Sequence, residues 1–481
     1  MSTQHPDNVK QPFFSNNAVL DHDDEIKEAF YAFSQLDIHE QLFDHEGKET
    51  DNFIVKRLLS KYPDFFRKNV LGKDKIVTFR IPNASVEKTE AKLVLEILNS
   101  IPRYFDTAEQ FYDDGTVPIS EVYVPMVTSA LDTILPYEYY KKFVAGNQDK
   151  IVAKNVTLSQ WIGKCKPETI TVTPLVEDMK SMLMVDKIAK EHLAVTKEEY
   201  KRFWLARSDP ALNYSSLGAV ILNKIALQKL HKVHEELSVE IFPIIGCGSA
   251  PFRGNFKPST VKQCMKGYPS IQTFTTQSSF KYDNPVNEVK NAVEELNSAK
   301  KKAPLFIEED KALQLLDKVA SKYKEHITEL APMINKIAKF IPNRRKRKLH
   351  IGLWGYSRAE GDLTLPRVIK FCAALYSIGI PPEILGVSKL TANDIDFIET
   401  MYPHFRGDIK DALLYLNKEN LKSVYPKIAE EVEKALKHFE YSIDDEHKAA
   451  TTKILQSIKA DDTGQLHEEI TEAALIRGFL G

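Results

Sequence analysis

The stretch "RFWLARSDPALNYSSLGAVILNKIALQKLHKVHEELSVEIFPIIGCG" (residues 202–248) contains two short apolar runs with a longer segment between them. The runs 202–210 and 240–248 combine aromatic or β-branched residues with polar or glycine-rich ends, which is typical of buried strands. The segment 215–237 places its apolar residues at helical spacing. A strand, a helix and a second strand without hairpin signals predict a parallel βαβ unit.

The same alternation recurs along the rest of the chain. Five further runs predict strands over residues 75–83, 121–129, 169–178, 271–279 and 349–358. An eighth strand would close a barrel, and the N-terminal "STQHP" (residues 2–6) is the remaining place for it, before helices predicted over residues 24–71. The sequence therefore predicts an α/β fold, a (β/α)8 barrel of the TIM type.

The C-terminal part of the chain, residues 365–481, reads as a series of helices, too many for the last barrel helix alone. We found no internal repeat, flexible linker or low-complexity tract. We therefore expect residues 1–481 to form a single barrel domain with additional helices, mainly C-terminal, and residues 365–481 to pack on the barrel as a largely helical extension.

Composition narrows the classes of function. Hydrophobic residues make up 43% and charged residues 27% of the 481 positions, as in soluble globular proteins. Lys plus Arg (65) nearly balances Asp plus Glu (67), so the net charge of −2 does not favour nucleic-acid binding. No apolar run approaches the ~18 to 20 residues of a membrane span. The N-terminus lacks a signal-peptide pattern and the four cysteines lack CxxC spacing, so we expect a reduced, cytoplasmic protein.

Two predicted strands end in carboxylates, Glu177 in "VTPLVED" and Asp209 in "LARSDP". They lie about one βα unit apart, so a barrel would bring them to neighbouring strand ends on its catalytic face. Carboxylates completed by water and substrate oxygens suit Mg²⁺ or Mn²⁺, and we predict that this pair holds the metal. The alternative is that Glu177 caps the following helix and Asp209 is a turn residue before Pro210.

Arginines also follow the predicted strands, and several on one rim indicate a small substrate with more than one negative charge. They are Arg80, Arg207, Arg253 and Arg358. Arg253 stands in a glycine-containing loop, where Gly246, Gly248 and Gly254 would let the backbone approach a phosphate. Arg253 is therefore a candidate phosphate clamp, and the alternative is a surface arginine in a long loop.

Two features near other predicted strands remain ambiguous. His5 would end an N-terminal strand on the catalytic rim and serve as a general acid or base, although a histidine at this position is more often in a tail. The basic run "NRRKRK" (residues 343–348) precedes the strand predicted at 349–358. In a chain of this net charge we expect the run to be a solvated face.

Seven ordered motifs resemble those of the archaeal-type phosphoenolpyruvate carboxylases, shorter relatives of the plant and bacterial enzymes. They cover nearly the whole chain: "MSTQHPDN", "RIPN", "TPLVED", "RSDPALNY", "GSAPFRGN", "TFTTQSSFKYD" and "LHIGLWGYSR…LPRVIKFCAALYSIGIPPE". The resemblance implies a (β/α)8 barrel and a homotetramer. It also implies carboxylation of phosphoenolpyruvate by bicarbonate to oxaloacetate and phosphate, with Mg²⁺ or Mn²⁺, as an anaplerotic supply of C4 acids.

The resemblance also implies roles for individual residues. Glu177 and Asp209 match the metal ligands, His5 resembles the histidine of the "TAHPT" motif of the larger enzymes, and Arg253 resembles an arginine of their glycine-rich loop. Lys281 and Arg358 resemble further phosphoenolpyruvate contacts. Gly254, Arg80 and Arg207 are candidate substrate contacts from their places in the loop and at the strand ends. The loop here, "GCGSAPFRGN", has one arginine where the larger enzymes carry two.

The implied mechanism proceeds through carboxyphosphate and the enolate of pyruvate. Phosphoryl transfer to bicarbonate would need positioning and charge stabilisation by arginines, and His5 would assist the breakdown of carboxyphosphate. One alternative is a metal-dependent lyase or aldolase barrel that forms an enolate without bicarbonate. Another is an inactive barrel that acts as an interaction scaffold through its helical C-terminus.

Overall fold

The computed structural model describes residues 1–47, 51–346, 358–360 and 363–481, without the side chains of 358–360 and 363. The chain forms two compact units, each built from separate stretches. The first unit comprises Met1–Gln4, Leu20–Leu205 and Lys229–Ile244. The second comprises His5–Val19, Ala206–Gln228 and Ile245–Gly481.

Seven strands form one sheet. In chain order, which is also their order in the sheet, they are β1 (Glu40–Asp44), β2 (Ile76–Arg80), β3 (Glu121–Val124), β6 (Thr171–Val176), β7 (Tyr200–Ala206), β8 (Glu240–Gly246) and β9 (Thr273–Phe274). The intervening β4 (Ile151–Ala153) and β5 (Val156–Thr157) form a separate antiparallel pair. The pairs of known register, from β1 to β7, are parallel. The predicted α/β class is confirmed, and the described sheet has seven strands.

The strands are buried along most of their length. All four residues of β3 are buried, as are the last five residues of β6 and the last four of β7. A parallel sheet covered by helices on its faces requires such near-continuous apolar runs. This explains why these strands were recognisable from composition without a clear alternation of polar and apolar residues.

The first strand, β1, falls within residues 24–71, where only helices were predicted, so that prediction is wrong for Glu40–Asp44. Its residues pair in parallel with β2. At the N-terminus of the chain, Ser2 N–H donates to Glu40 O at 2.7 Å and Leu42 N–H donates to Ser2 O at 2.9 Å. Ser2 thus forms an isolated parallel bridge to β1, and residues 3–6 are not in a strand, so the strand predicted over residues 2–6 is wrong beyond this one bridge.

Eight of the described helices lie wholly in the first unit: α1 (His22–Ser34), α2 (Ile54–Lys61), α3 (Pro63–Lys68), α4 (Ala91–Tyr112), α5 (Leu131–Tyr139), α6 (Leu158–Ile162), α7 (Met179–Leu183) and α8 (Val185–Thr196). In α4, Val94, Leu98 and Ile101 recur at helical spacing and are buried. They belong to one hydrophobic cluster with Val77 and Phe79 of β2. The core of this unit is therefore formed between the sheet and its helices.

The long helix α9 (Ser208–Leu237) begins in the second unit and ends in the first. The other described helices belong to the second unit: α10 (Val261–Gly267), α11 (Ser278–Tyr282), α12 (Val286–Ser298), α13 (Glu309–Ala338), α14 (Val368–Ser377), α15 (Ala392–Met401), α16 (Phe405–Leu413), α17 (Lys418–Val424), α18 (Pro426–Leu436), α19 (Asp445–Lys459) and α20 (Leu466–Arg477). Helices α14 to α20 make up most of residues 365–481. The strand predicted over 349–358 lies outside the described residues except at Arg358, which begins β10 (Arg358–Glu360), the antiparallel partner of β11 (Leu363–Leu365).

Within the described ranges, no single helix is long and apolar enough to cross a bilayer. One pair, Val368–Ser377 with Pro382–Lys389, passes that test of length and composition when taken together, with a bend of 96° between its members. The four cysteines are free thiols, and all of them are buried.

Candidate active site

Arg80 is the last residue of β2, in the first unit. Its Nε donates to Asp44 Oδ1 at 3.0 Å, and its NH2 lies 3.0 Å from Glu46 Oε2. Asp44 ends β1 in register with Arg80, so the parallel pairing brings the two side chains to the same edge of the sheet. Burial acts to lower the pKa of Arg80, but Asp44 and Glu46 outweigh it and hold that pKa well above its ordinary value. Arg80 is thus a buried, permanent cation with two carboxylate partners.

Glu177 directly follows β6, and it is only 7% exposed. Its charge contributes to the raised pKa of Arg80, so the ends of β2 and β6 share one electrostatic environment. The following helix, α7, is capped by Asp178, whose Oδ1 accepts from Ser181 N–H at 3.0 Å. The alternative in which Glu177 caps this helix is therefore wrong, and Glu177 is a buried carboxyl at the carboxyl end of a strand.

Asn83, the last residue of the "RIPN" motif, was not predicted to have a role, but it links two loops. Its Nδ2 donates to Pro125 O at 2.9 Å, and its Oδ1 accepts from Ser85 N–H at 2.9 Å. The bond to Pro125 O connects the segment after β2 with the segment after β3, and the bond from Ser85 N–H orders the first of these segments. Asn83 therefore fixes two neighbouring loops at the edge that carries Arg80.

Asp209 lies in the second unit, in the first turn of α9, and is partly buried. A carboxylate is stabilised at a helix N-terminus by the backbone dipoles, so Asp209 is a helix residue rather than a turn residue. The helix is interrupted at Ser215, which has a φ of 77°. Ser215 Oγ accepts from Gly218 N–H at 3.1 Å and so caps the longer part of α9. Asp209 therefore stands on a short helical segment between the end of β7 and this break.

Arg207, two residues before Asp209, is 1% exposed. Its NH1 donates to Ser216 O at 2.9 Å and its NH2 to Ser216 Oγ at 3.3 Å. Its Nε is buried without a hydrogen-bond partner among the described residues. The side chain lines a small cavity together with Glu383, Tyr402 and Asp408. The break at Ser215 thus provides the acceptors that hold Arg207.

The loop after β8 folds tightly around Arg253. Gly248 N–H donates to Arg253 O at 2.9 Å, and Phe256 N–H donates to Gly248 O at 2.9 Å. A Cβ atom on Gly248 would lie 2.7 Å from Arg253 Cζ, so only glycine leaves room for the guanidinium. Gly254 has a φ of 121°, which L-residues with a side chain rarely adopt. The glycines of the motif are therefore explained by the placement of Arg253.

Arg253 is 1% exposed, so the alternative of a surface arginine is wrong. All three of its guanidinium nitrogens donate to protein acceptors. Nε donates to Ser208 Oγ at 3.1 Å, NH1 to Asp7 Oδ2 at 3.1 Å and to Gly481 O at 2.8 Å, and NH2 to Gln277 Oε1. Four distant segments of the second unit meet at this one side chain.

Asp7, Gln277 and Gly481 were missed by the sequence analysis as partners of Arg253. Asp7 is fully buried, and its Oδ1 also accepts from Ser279 N–H at 2.8 Å. Asp7 and Gln277 stand within the quoted motifs "MSTQHPDN" and "TFTTQSSFKYD", so the motifs marked these segments as important. That both side chains bind Arg253 depends on long-range contacts, which the motifs do not show.

His5 lies close to this cluster along the chain, two residues before Asp7. Its backbone O accepts from Ser278 N–H at 3.2 Å, which attaches the N-terminal segment to the start of α11. His5 is partly exposed. The backbone at this position is held by α11, so His5 does not belong to a free tail.

Lys281 of α11 is buried, and its Nζ lies 5.3 Å from the centroid of the Tyr282 ring. Two residues further on, Asp283 accepts from Val9 N–H at 2.9 Å and from Lys10 N–H at 2.8 Å. Burial raises the pKa of Asp283 to about 7. Arg358 belongs to β10, and its side chain lies outside the described part of the structure.

The prediction of a solvated basic run is wrong for its first two arginines. Arg344 and Arg345 are 8% and 4% exposed. Arg344 donates from Nε to Asn8 O at 3.2 Å and from NH2 to Val9 O at 2.8 Å. The N-terminal segment of the second unit is therefore held from two directions, by α11 and by this part of the basic run.

Among the residues that the structure describes, no group of three or more His, Cys, Asp or Glu side chains could hold a metal ion. Mg²⁺ binds through one or two carboxylates, and water and substrate oxygens complete its coordination. Glu177 and Asp209 are carboxylates that each follow the carboxyl end of a strand. Each of them is a side chain of the type that such a cation binds.

The comparisons with known proteins cover the whole chain. A family model described as phosphoenolpyruvate carboxylase matches residues 1–481. Proteins named phosphoenolpyruvate carboxylase from Methanospirillum hungatei, Methanothermobacter thermautotrophicus and Pyrococcus horikoshii are 46%, 45% and 46% identical to this chain. Each alignment covers 100% of this chain and 99% of the relative.

Proposed function

The chain belongs to the phosphoenolpyruvate carboxylase family, and we propose that it carboxylates phosphoenolpyruvate at the carboxyl ends of its parallel strands. The enzyme joins phosphoenolpyruvate and bicarbonate to give oxaloacetate and phosphate, a lyase reaction that fixes carbon dioxide. The similarity along the entire chain, with 45–46% identity to three relatives of that name, is the observation that carries this conclusion.

The proposed metal ligands are Glu177 and Asp209. They follow neighbouring strands, because Val176 at the end of β6 is in register with Leu205 near the end of β7. Mg²⁺ or Mn²⁺, when bound, supplies a Lewis acid that stabilises negative charge on the enolate oxygen. Glu177 and Asp209 would contribute two hard oxygen donors and leave the other positions to substrate and water.

The proposed substrate contacts are the residues of the loop after β8, together with Arg80, Arg207, Lys281 and Arg358. A guanidinium has five N–H donors, and Arg253 uses four of them in the bonds to its protein partners. Its remaining N–H and the Gly254 backbone would face the transferring phosphoryl group. A donor fixed in this way needs no reorganisation as charge develops in the transition state.

His5 is the proposed general acid or base. We assign to it the breakdown of carboxyphosphate, after which the enolate attacks carbon dioxide. The bond from Ser278 N–H to His5 O supports this role, because it holds the His5 backbone in the second unit. Exclusion of water is required at this stage, since an enolate that takes up a proton becomes pyruvate.

The barrel, the single domain and the homotetramer are also proposed from the resemblance to the family. Seven sheet strands and the parallel bridge at Ser2 are the elements that a (β/α)8 barrel would require. A single domain over residues 1–481, with residues 365–481 as a helical extension, would contain both units. A homotetramer in the cytoplasm is the proposed working form.

A coupled assay tests the proposed function. The chain is mixed with phosphoenolpyruvate, bicarbonate and Mg²⁺, and oxaloacetate is followed through malate dehydrogenase as the oxidation of NADH. We expect a rate that requires all three components. Pyruvate formation that is independent of bicarbonate would instead favour an enolate-forming lyase, and an inactive chain that does not bind Mn²⁺ would favour a scaffold.

A further inference from the structure

A short segment of the first unit exposes large apolar side chains to solvent. We call residues 143–162 the arm. The exposed fractions are 56% for Phe143, 64% for Ile151, 52% for Val152, 43% for Val156, 67% for Trp161 and 53% for Ile162. Scattered apolar residues are normal on protein surfaces, but a concentration of this kind within twenty positions marks an interaction site.

The arm is well ordered by its own hydrogen bonds. The turn between β4 and β5 has positive φ at both Lys154 and Asn155, as in a type I′ hairpin. Thr157 and Gln160 form a capping box at the start of α6. Leu158 N–H then donates to Lys150 O at 2.9 Å, which joins α6 to the hairpin. The apolar side chains are therefore presented on a defined surface.

The hairpin lacks the support that a small sheet normally needs. In the described part of the chain, β4 pairs only with β5, and all three residues of β4 are exposed. A two-stranded hairpin alone is marginally stable in water, and an exposed apolar edge is a template for another strand. The arm thus has an open edge as well as an apolar face.

The exposed apolar area agrees with what a dimer of this chain requires. Aromatic side chains contribute about 150–250 Å² each when fully buried, and aliphatic ones about 60–120 Å². At the fractions above, the six side chains expose on the order of 450 Å². Each partner in a standard interface contributes about 800 Å², of which about 65% is apolar in homodimers. The arm supplies most of that apolar share.

The charge of the arm favours a second copy over a membrane surface. Residues 143–162 contain Lys150, Lys154 and Asp149, so two positive charges and one negative charge give a net charge of +1. Helices that bind membrane surfaces carry many Lys and Arg residues beside their apolar face. A nearly neutral arm lacks that attraction, and it also causes little repulsion when two copies meet.

We propose that the arm is a two-fold interface between two copies of this chain. In this arrangement β4 of one copy pairs antiparallel with β4 of the other, and Trp161 and Ile151 of both copies become buried. A two-fold contact uses the same patch on each subunit, which a single exposed β edge can provide. The proposal identifies a surface through which copies of this chain associate, and it does not depend on the roles proposed for the active-site residues.

Sedimentation of two matched variants tests the proposal. Trp161→Glu combined with Ile151→Glu places charges within the interface, while Phe306→Glu changes an equally exposed aromatic residue (61%) in the second unit. We expect the arm variant to have half the molar mass of the wild type, with association weakened by at least about 30-fold. The control should retain the wild-type mass. A monomeric wild type, or an arm variant of unchanged mass, would overturn the proposal.

Cross-linking provides an independent test of the same interface. Because all four native cysteines are buried, Val152→Cys introduces an exposed thiol at the centre of β4. We expect oxidation to produce a covalent dimer in good yield, and Phe306→Cys to produce little. Equal yields from both variants would contradict the two-fold pairing. Flotation of a monomeric wild type with vesicles of phosphatidylcholine and phosphatidylserine would assign the arm to membranes instead.

Discussion

Replacing Arg253 by methionine should destabilise the enzyme strongly, because it removes a cation from the middle of a buried network. Methionine keeps the apolar stem of the side chain but none of its donors. The fully buried Asp7 carboxylate then loses its charge partner, and Gln277 and Gly481 O lose a donor. The perturbation is therefore electrostatic rather than a loss of volume.

Breaking a buried ion pair by removing one partner costs about 3–5 kcal/mol. Each acceptor left without a donor adds about 1–3 kcal/mol, partly relieved by water. We therefore expect Arg253→Met to lower the free energy of unfolding by at least about 4 kcal/mol. Adding Asp7→Asn removes the uncompensated charge, so the double variant should recover about 1–3 kcal/mol of that loss.

Urea unfolding followed by circular dichroism measures these differences. Arg406→Met is the matched control, because Arg406 is 45% exposed and pairs with Glu399 at 3.0 Å at the surface. Its loss should cost less than about 1 kcal/mol. If Arg253→Met unfolds as the control does, or if Asp7→Asn makes the variant still less stable, the described network does not stabilise the second unit.

Three further predictions concern chemistry and pH. Glu177→Gln and Asp209→Asn should each abolish carboxylation and weaken Mn²⁺ binding in calorimetry, while their urea midpoints stay near that of the wild type. If either variant retains full activity at limiting metal, the replaced residue is not a metal ligand. His5→Asn should lose oxaloacetate formation yet keep a slow, bicarbonate-dependent release of phosphate and pyruvate, and full carboxylase activity would assign His5 a structural role only. Burial raises the pKa of Glu383 from 4.5 to about 7. The folded chain therefore holds this proton more tightly than the unfolded chain does, which stabilises the fold by about 3 kcal/mol below about pH 4.5. This stabilisation is lost as the pH rises through 7. Glu383→Gln should flatten this decline in urea midpoints measured from pH 5 to pH 8, and an unchanged slope would contradict the assignment.

Much of the fold could be predicted because its signals are local. The runs at 75–83, 121–129, 169–178 and 240–248 contain the observed β2, β3, β6 and β8. A buried parallel strand must be apolar on both faces, and that requirement is visible in composition alone. The same applies to the C-terminal helices, whose apolar residues repeat at helical spacing.

β1 could not be predicted in this way. Within Glu40–Asp44 only Leu42 and Phe43 are apolar, and the flanking residues are polar. Its strand conformation comes from pairing with Ser2 and with β2, and such long-range pairing outweighs local propensity. Arg80 was consequently recognised as a strand-end arginine, while Asp44, its partner on β1, was not.

In the candidate site, too, features with a local signal could be predicted and features that depend on long-range contacts could not. Residue types at strand ends identified Glu177, Asp209 and Arg253 as candidates, because those types suit metals and phosphates. Their partners come from positions far apart in the chain, and no spacing rule relates Arg253 to Gly481. For the same reason the burial of Arg344 was not foreseen, since its acceptors are the backbone oxygens of Asn8 and Val9.

The discontinuous second unit has a consequence for how the polypeptide is made on the ribosome. Residues 5–19 belong to that unit, but Ser279, which donates to Asp7, is synthesised about 270 residues later. At roughly 5–20 residues per second, this segment waits roughly 15–55 s for its partner. Residues 20–205 can meanwhile collapse around their own core, so the order of translation differs from the order of assembly.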